Sequence, residues 1–339
     1  MPPRRFARSL GRLQACRVPM QVLPSLPVGK FPAVGESGMS WALRVAAVNL
    51  VSVSWLRSRL VISQPRPFNA EDSLKLAAVM VADPSELRAR LPVYGRADGT
   101  PAILYFGQMT LFAPCVRFRR PQVCPACLRC HAHCPAAWDY SCYAVCPIHC
   151  LPMVDQCVSC RRSLTWDRLS VDVCRCGAYI KSPVDEPSDG YRVAGFFSRL
   201  ISAHIAGETH GCELTALLPA WWSLATLDGL MRLTVAMGIV DKEDCAVRFP
   251  SLHRFSSRTW ALIVARGLER LMQVDSSEPA QMTSLRRTVW EGGLESLALK
   301  SVSPVDGQIA ELLLHRIFAR KLSVRFGASR GSLSQISLF

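Results

Sequence analysis

Eight residues between Cys124 and Cys176 fall into four close-spaced pairs: Cys124/Cys127, Cys146/His149, Cys157/Cys160 and Cys174/Cys176. Each pair can set two soft donors on one turn of chain, and two such knuckles complete a tetrahedral zinc shell. Loop lengths give the grouping. Eighteen residues separate the first two pairs and 13 separate the last two, both suited to a zinc finger or ribbon. The spacing therefore predicts two zinc ions, one held by Cys124, Cys127, Cys146 and His149, the other by Cys157, Cys160, Cys174 and Cys176. Four protein ligands per ion leave no position for the water that a catalytic zinc activates, so both ions are expected to be structural. Such ions supply folding free energy on the order of 10 kcal/mol to small modules.

The same stretch holds six further donors: Cys130, His131, His133, Cys134, Cys142 and Cys150. Cys124, Cys127, Cys130 and Cys134 followed by Pro135 also satisfy the C-x2-C-x2-C-x3-C-P run of bacterial ferredoxins, which keeps an iron–sulfur cluster open as an alternative. No second full run follows to supply the crossed-over ligand. A third metal site and free thiols are the other readings of the extra donors. The odd total of 15 cysteines, with CxxC and CxC spacings, argues against a disulfide framework and for a reducing cytoplasm. Residues 1–29 lack the apolar core of a signal peptide, and no stretch has the length and apolarity of a membrane span.

The elements that must position these donors are mainly helical. The net charge of +14 is concentrated early: residues 1–123 carry 17 Lys and Arg against 6 Asp and Glu, residues 124–180 carry 5 against 4, and residues 181–339 carry 18 against 16. A polyanion is expected to be drawn to the first third. Residues 1–30 read as a basic disordered tail with Arg4, Arg5, Arg8, Arg12 and Arg17, and residues 31–123 as a helical N-terminal domain. Met39, Leu43 and Ala46 share one helical face within Glu36–Asn49, and a second apolar run covers Val53–Ile62. Asn69 caps a helix through Met80, and Asp83-Pro84-Ser85-Glu86 starts another through Arg90, the spacing of a helix-turn-helix over residues 69–91. Arg88 and Arg90 are its candidate nucleic-acid contacts, with ordinary helix packing as the competing reading.

Strand-like patches at Ala102–Phe106 and Thr110–Phe112 precede the basic run Arg117, Arg119 and Arg120. That run reads either as a phosphate contact or as a solvated edge beside the metal module. Residues 124–180 form the tandem zinc module. Beyond a linker at Pro183–Asp189, residues 181–339 read as a C-terminal helical bundle, with helices over Tyr191–Ile205, Leu214–Leu218, Leu224–Met237, Thr259–Gln273, Gln281–Leu299 and Gln308–Val324. Trp221 and Trp222 are expected in its core, and Arg316, Arg320 and Lys321 on a basic face of its last helix. No Walker A loop, GxSxG elbow, HExxH helix or GxGxxG turn is present, so the chain is not expected to be an enzyme.

The series Cys124-Pro-Ala-Cys127, Trp138, Cys146-Pro-Ile-His149, Cys157-Val-Ser-Cys160 and Cys174-Arg-Cys176-Gly177, after Pro32-Ala-Val-Gly-Glu36-Ser-Gly-Met-Ser40-Trp41, resembles the TniQ (TnsD-related) family from about Phe31 to Ile180. The resemblance implies a non-catalytic target-selection subunit of a prokaryotic transposon, working beside a DDE transposase and an AAA+ ATPase. It implies contact with target DNA or with a guide-RNA effector complex, as in CRISPR-associated transposons. By position it carries zinc ligation to the eight residues already named, and homodimerisation occurs in parts of the family. The extra donors depart from the family pattern, as does Cys150, which stands where a glycine often follows the CPxH histidine. A zinc-ribbon DNA-binding transcription regulator is the alternative of a different class, and an iron–sulfur redox protein a third.

Overall fold

The computed structural model describes residues 25–62, 66–183, 189–208, 220–240, 252, 254–274 and 279–319. The basic tail before residue 25, most of the expected linker, the expected helix at Leu214–Leu218, and Arg320 and Lys321 lie outside the described residues. The architecture is mainly α, with one small sheet and one contiguous hydrophobic core that runs from Leu26 to Ile317.

Helix α1 (Gly38–Val48) starts at Ser37, whose hydroxyl accepts from the Ser40 amide, and buries Met39, Trp41, Leu43, Val45 and Ala46. Glu36 is fully buried just before it. Its carboxylate accepts from the Ala33 amide at 2.9 Å, from the Ser40 hydroxyl at 2.7 Å and from Arg44, so the buried charge is compensated. Ser40 in turn accepts from the Cys134 amide at 2.8 Å, and the Ser37 amide donates to the Cys134 carbonyl at 3.1 Å. The Glu36-Ser-Gly-Met-Ser40 motif thus bolts the start of α1 to the cysteine-rich segment. Gly38 is required by packing, because a Cβ there would sit 2.7 Å from the Leu91 side chain and 2.8 Å from the Arg90 carbonyl.

Helix α2 (Val53–Arg59) is capped by Ser52. Asn69 and Asp72 form a capping box around the 3-10 turn Ala70–Asp72, which runs straight into α3 (Ser73–Met80). Val81 then turns the chain in the left-handed region, and Asp83 caps the six-residue α4 (Pro84–Ala89). Two short helices joined by a tight turn thus occupy the stretch from residue 69 to 91. Strands β1 (Val93–Ala97), β2 (Thr100–Tyr105) and β3 (Gln108–Thr110) follow as an antiparallel sheet in that order. Both links are two-residue turns with positive φ throughout, at Asp98-Gly99 and Phe106-Gly107. The first strand was not expected, because its middle residues are exposed and show no apolar alternation.

Tyr105 at the end of β2 donates its hydroxyl to Asp139 at 2.7 Å in the core. Burial pushes the Asp139 carboxyl up to about 7 from an ordinary 3.8, with Tyr105 and Arg117 pulling the other way. The folded chain therefore holds this proton more tightly than the unfolded chain. From about pH 4 to about pH 7 the folded state carries the extra proton, so this group's contribution to stability is present at low pH and is lost as pH rises through the folded pKa. Asp139→Asn is expected to flatten that decline, which for one group is about 1.4 kcal/mol per pH unit. Denaturant unfolding of both proteins at a series of pH values checks it, and parallel slopes would exclude Asp139 as the titrating group.

The C-terminal helices are α6 (Asp189–Ala206), α7 (Leu227–Gly238), α8 (Ser257–Val274), α9 (Pro279–Thr288), α10 (Glu291–Leu299) and α11 (Pro304–Phe318), numbered after α5 (Pro125–Cys130) of the metal segment. Helix α7 is buried along its whole length and is the axis of the bundle. It meets α8 backbone to backbone: a Cβ on Gly267 would lie 2.1 Å from the Thr234 carbonyl oxygen, and one on Gly238 would lie 1.9 Å from that of Ile263. Trp221 and Trp222 stack at 5.5 Å and are buried, as expected for core residues. The helix expected over Gln281–Leu299 is two helices. At the break the Trp290 amide donates to the Ala236 carbonyl at 2.8 Å and the indole folds over Gly293, where a Cβ would stand 2.2 Å from the ring. Among the described residues no single helix is long and apolar enough to cross a membrane.

Candidate metal centre

Cys124 opens helix α5, so its side chain and that of Cys127 sit on one helical turn. The other pairs use a common hairpin. The Cys146 amide donates to the Leu151 carbonyl and the Cys150 amide to that of Cys146, both at 2.8 Å. The Cys157 amide likewise donates to the Arg162 carbonyl at 3.0 Å, and the Arg161 amide to that of Cys157 at 2.8 Å. The residue after the second donor of each hairpin lies in the left-handed region: Cys150 at φ 52°, Arg161 at 59° and Gly177 at 86°. Cys150 therefore has a backbone role at the position where it replaces the family's glycine.

These turns bring together the two predicted quartets, with all donor atoms in each within 4.8 Å of one another. In the first, His149 Nδ1 is 3.4 Å from each of the Cys124, Cys127 and Cys146 sulfurs, and Cys127 and Cys146 are 3.5 Å apart. In the second, Cys157 lies 3.8 Å from Cys176, and Cys160 lies 3.8 Å from Cys174. A tetrahedron with bonds of about 2.3 Å to sulfur and about 2.0 Å to nitrogen has edges of about 3.5 to 3.8 Å, so the donor sets fit zinc in both size and chemistry. Hydrogen bonds from the Cys127 and Cys146 side chains hold the Cys124 thiol down at about 3, while the same cluster pushes Cys127 up. At Cys157 burial is opposed by the Cys160 and Ser159 amides, which bring it to about 7. Four protein donors close each shell, so the arrangement can stiffen the chain.

None of the extra donors joins either quartet. Cys130 and His131 are exposed at the end of α5, and His133 is half-buried. Cys134 is buried against Arg168, whose Nη2 lies 3.8 Å from its sulfur. Cys142 is buried against Cys115. The ferredoxin-type grouping of Cys124, Cys127, Cys130 and Cys134 is thus not assembled.

The five candidate arginines separate. Arg88 is exposed on α4, while Arg90 lies half-buried over the Trp41 ring, 6.0 Å from its centre. Arg119 and Arg120 are exposed. Arg117 is buried and bonded to Asp155 at 2.7 Å, Gln122 at 3.0 Å and Ser257 at 3.1 Å. The basic run therefore offers solvent two guanidinium groups in place of three. Sequence reasoning passed over Asp155, whose partners Arg117 and Ser257 lie in other segments.

The arrangement of α1, the helix pair α3–α4 and the first quartet behind them falls within residues 27–153, which match the TniQ family model. The chain carries a TniQ domain. The match takes in Cys124, Cys127, Cys146 and His149 and ends before Cys157, so the second quartet and the C-terminal helices lie beyond it. No curated protein matches the chain. A TniQ domain indicates a transposon-associated target-selection protein.

Proposed function

We propose that this protein is a non-catalytic target-selection subunit that links target DNA, or an RNA-guided complex, to an AAA+ ATPase and a DDE transposase, with one structural zinc in each quartet. The observation that carries the reading is a closed four-donor metal shell built into a TniQ domain and bolted to its first helix through Ser37, Ser40 and Cys134. That construction makes a rigid docking surface with no place for chemistry. The exposed Arg88, Arg119 and Arg120 supply nucleic-acid contacts, and homodimerisation fits the same role.

The test is paired. Purified protein is expected to be colourless, with two zinc ions per chain, to bind duplex DNA with an affinity that falls steeply with salt, and to retain an AAA+ ATPase of the transposition machinery. Failure of both binding and retention would overturn the reading. Iron with absorbance near 400 nm would replace it with the redox alternative.

A further inference from the structure

The metal module is close to neutral by composition, with five arginines against four aspartates between residues 124 and 180. Its fold sorts these charges. Asp139 is buried, and the other three aspartates are half-buried and engaged in hydrogen bonds. Asp139 takes the Tyr105 hydroxyl, Asp155 takes Arg117 and the Ser257 amide, Asp167 accepts from the Ser54 amide at 3.1 Å, and Asp172 accepts from the Ser170 hydroxyl. Of the arginines only Arg168 is buried. Arg129, Arg161, Arg162 and Arg175 are exposed, and Lys181 follows at the module's end.

Three of these surround one metal site. Arg161 and Arg162 follow Cys160, and Arg175 stands between Cys174 and Cys176, whose sulfurs converge on the same centre. Tyr179, 67% exposed, is bridged to Val173 on the adjoining turn. A zinc centre with four thiolates carries a net charge of about −2, which could by itself call for neighbouring arginines. The geometry speaks against that use, since none of the three donates a hydrogen bond to a sulfur of the quartet. Arg161 also sits at φ 59°, in a turn position that favours glycine, and Gly177 fills the equivalent place in the partner turn. A long cationic side chain at a position suited to glycine is a local cost that folding does not require.

We infer that the second metal knuckle is a nucleic-acid contact, in which Arg161, Arg162 and Arg175 grip the phosphodiester backbone and Tyr179 packs on a sugar or base. Spaced guanidinium groups beside an exposed ring on a rigid turn are what a backbone needs, and phosphate neutralisation is the main source of such affinity. The face gives the adaptor its polyanion contact and rests on that reading for the polyanion's identity.

Binding of the full chain to labelled duplex DNA, and to RNA of the same sequence, is measured by anisotropy over a range of salt concentrations. The R161Q/R162Q/R175Q protein is expected to bind about tenfold or more weakly at low salt, with a log–log salt slope shallower by about 2 to 3. R161K/R162K/R175K is expected to bind like the parent. The single variant Arg161→Gly separates contact from fold, because it relieves the turn and is expected to keep zinc content and melting temperature while weakening binding. A loss on both nucleic acids, or on one alone, supports the contact and names its source. Unchanged affinity and slope in zinc-replete Gln and Gly variants, or equal losses in the Gln and Lys proteins, overturns it. Failure of the parent itself to bind either nucleic acid would count against the adaptor reading, whereas parental binding with insensitive variants sinks only this face.

Discussion

Replacing Cys146 by serine is expected to unfold most of the chain, whereas the same change at Cys176 is expected to leave it folded with one zinc ion per chain in place of two. The chemistry of the two losses is alike, since a hydroxyl is a poor substitute for a thiolate on zinc, so the difference comes from placement. Cys124, Cys127 and Cys146 are buried, and the knuckle they form is a packing surface. Gly195 of α6 packs against it in ordinary van der Waals contact with Val145 and Pro147, and Arg199 reaches the Pro147 carbonyl at 3.2 Å. Opening this knuckle detaches α6 and the core beneath. A structural zinc contributes on the order of 10 kcal/mol, as much as the whole stability of a typical domain. At the second site Cys176 is exposed and Cys160 half-buried, so its loss frays an edge. Soluble yield, thermal unfolding and zinc content of the two variants check this, and equal losses of stability would overturn the ranking.

The metal quartets were legible because their donors come in local pairs, and a three-residue spacing already dictates geometry. The helices of the bundle were legible for the same reason, through caps and apolar periods. What escaped depends on partners far along the chain. The break at Trp290 is set by a bond to Ala236 on another helix and by an indole resting on Gly293, neither of which disturbs the helical pattern of Gln281–Leu299. Strand β1 hid behind its exposed residues, although Asp98-Gly99 is a strong hairpin signal. Charge was the least legible property, since composition placed the cationic character in the first third. Hydrogen bonds engage Asp139, Asp155, Asp167 and Asp172 while four arginines stay exposed, which gives the metal module a basic face that its residue counts conceal.

Arg117→Ala is expected to cost about 3 to 5 kcal/mol of stability, far more than an arginine in a solvated basic run would. Its guanidinium is the hub of a clasp between three segments distant in sequence. It reaches Asp155 on the metal module, Gln122 just before that module and Ser257 at the first turn of α8, and its Nε donates to the Arg120 carbonyl at 2.9 Å. Ser257 completes the ring by donating its amide to Asp155 at 3.0 Å and its hydroxyl to Gln122 at 2.7 Å. Gln122 spends its amide group on the Trp138, Tyr140 and Tyr143 carbonyls, so no member has a spare partner. Truncating Arg117 leaves Asp155, 15% exposed, with its charge uncompensated. Asp155→Asn is expected to be costly for the converse reason, and the double variant to cost less than the two single changes together, with a coupling of about 1 to 3 kcal/mol. Denaturant unfolding of the four proteins measures that cycle. A cost below about 1 kcal/mol for Arg117→Ala would mean that the clasp contributes no more than a surface pair. The clasp also governs how the basic run must be tested, because a loss of nucleic-acid binding on mutating Arg117 reports on the seating of α8, and only Arg119 and Arg120 can report on phosphate.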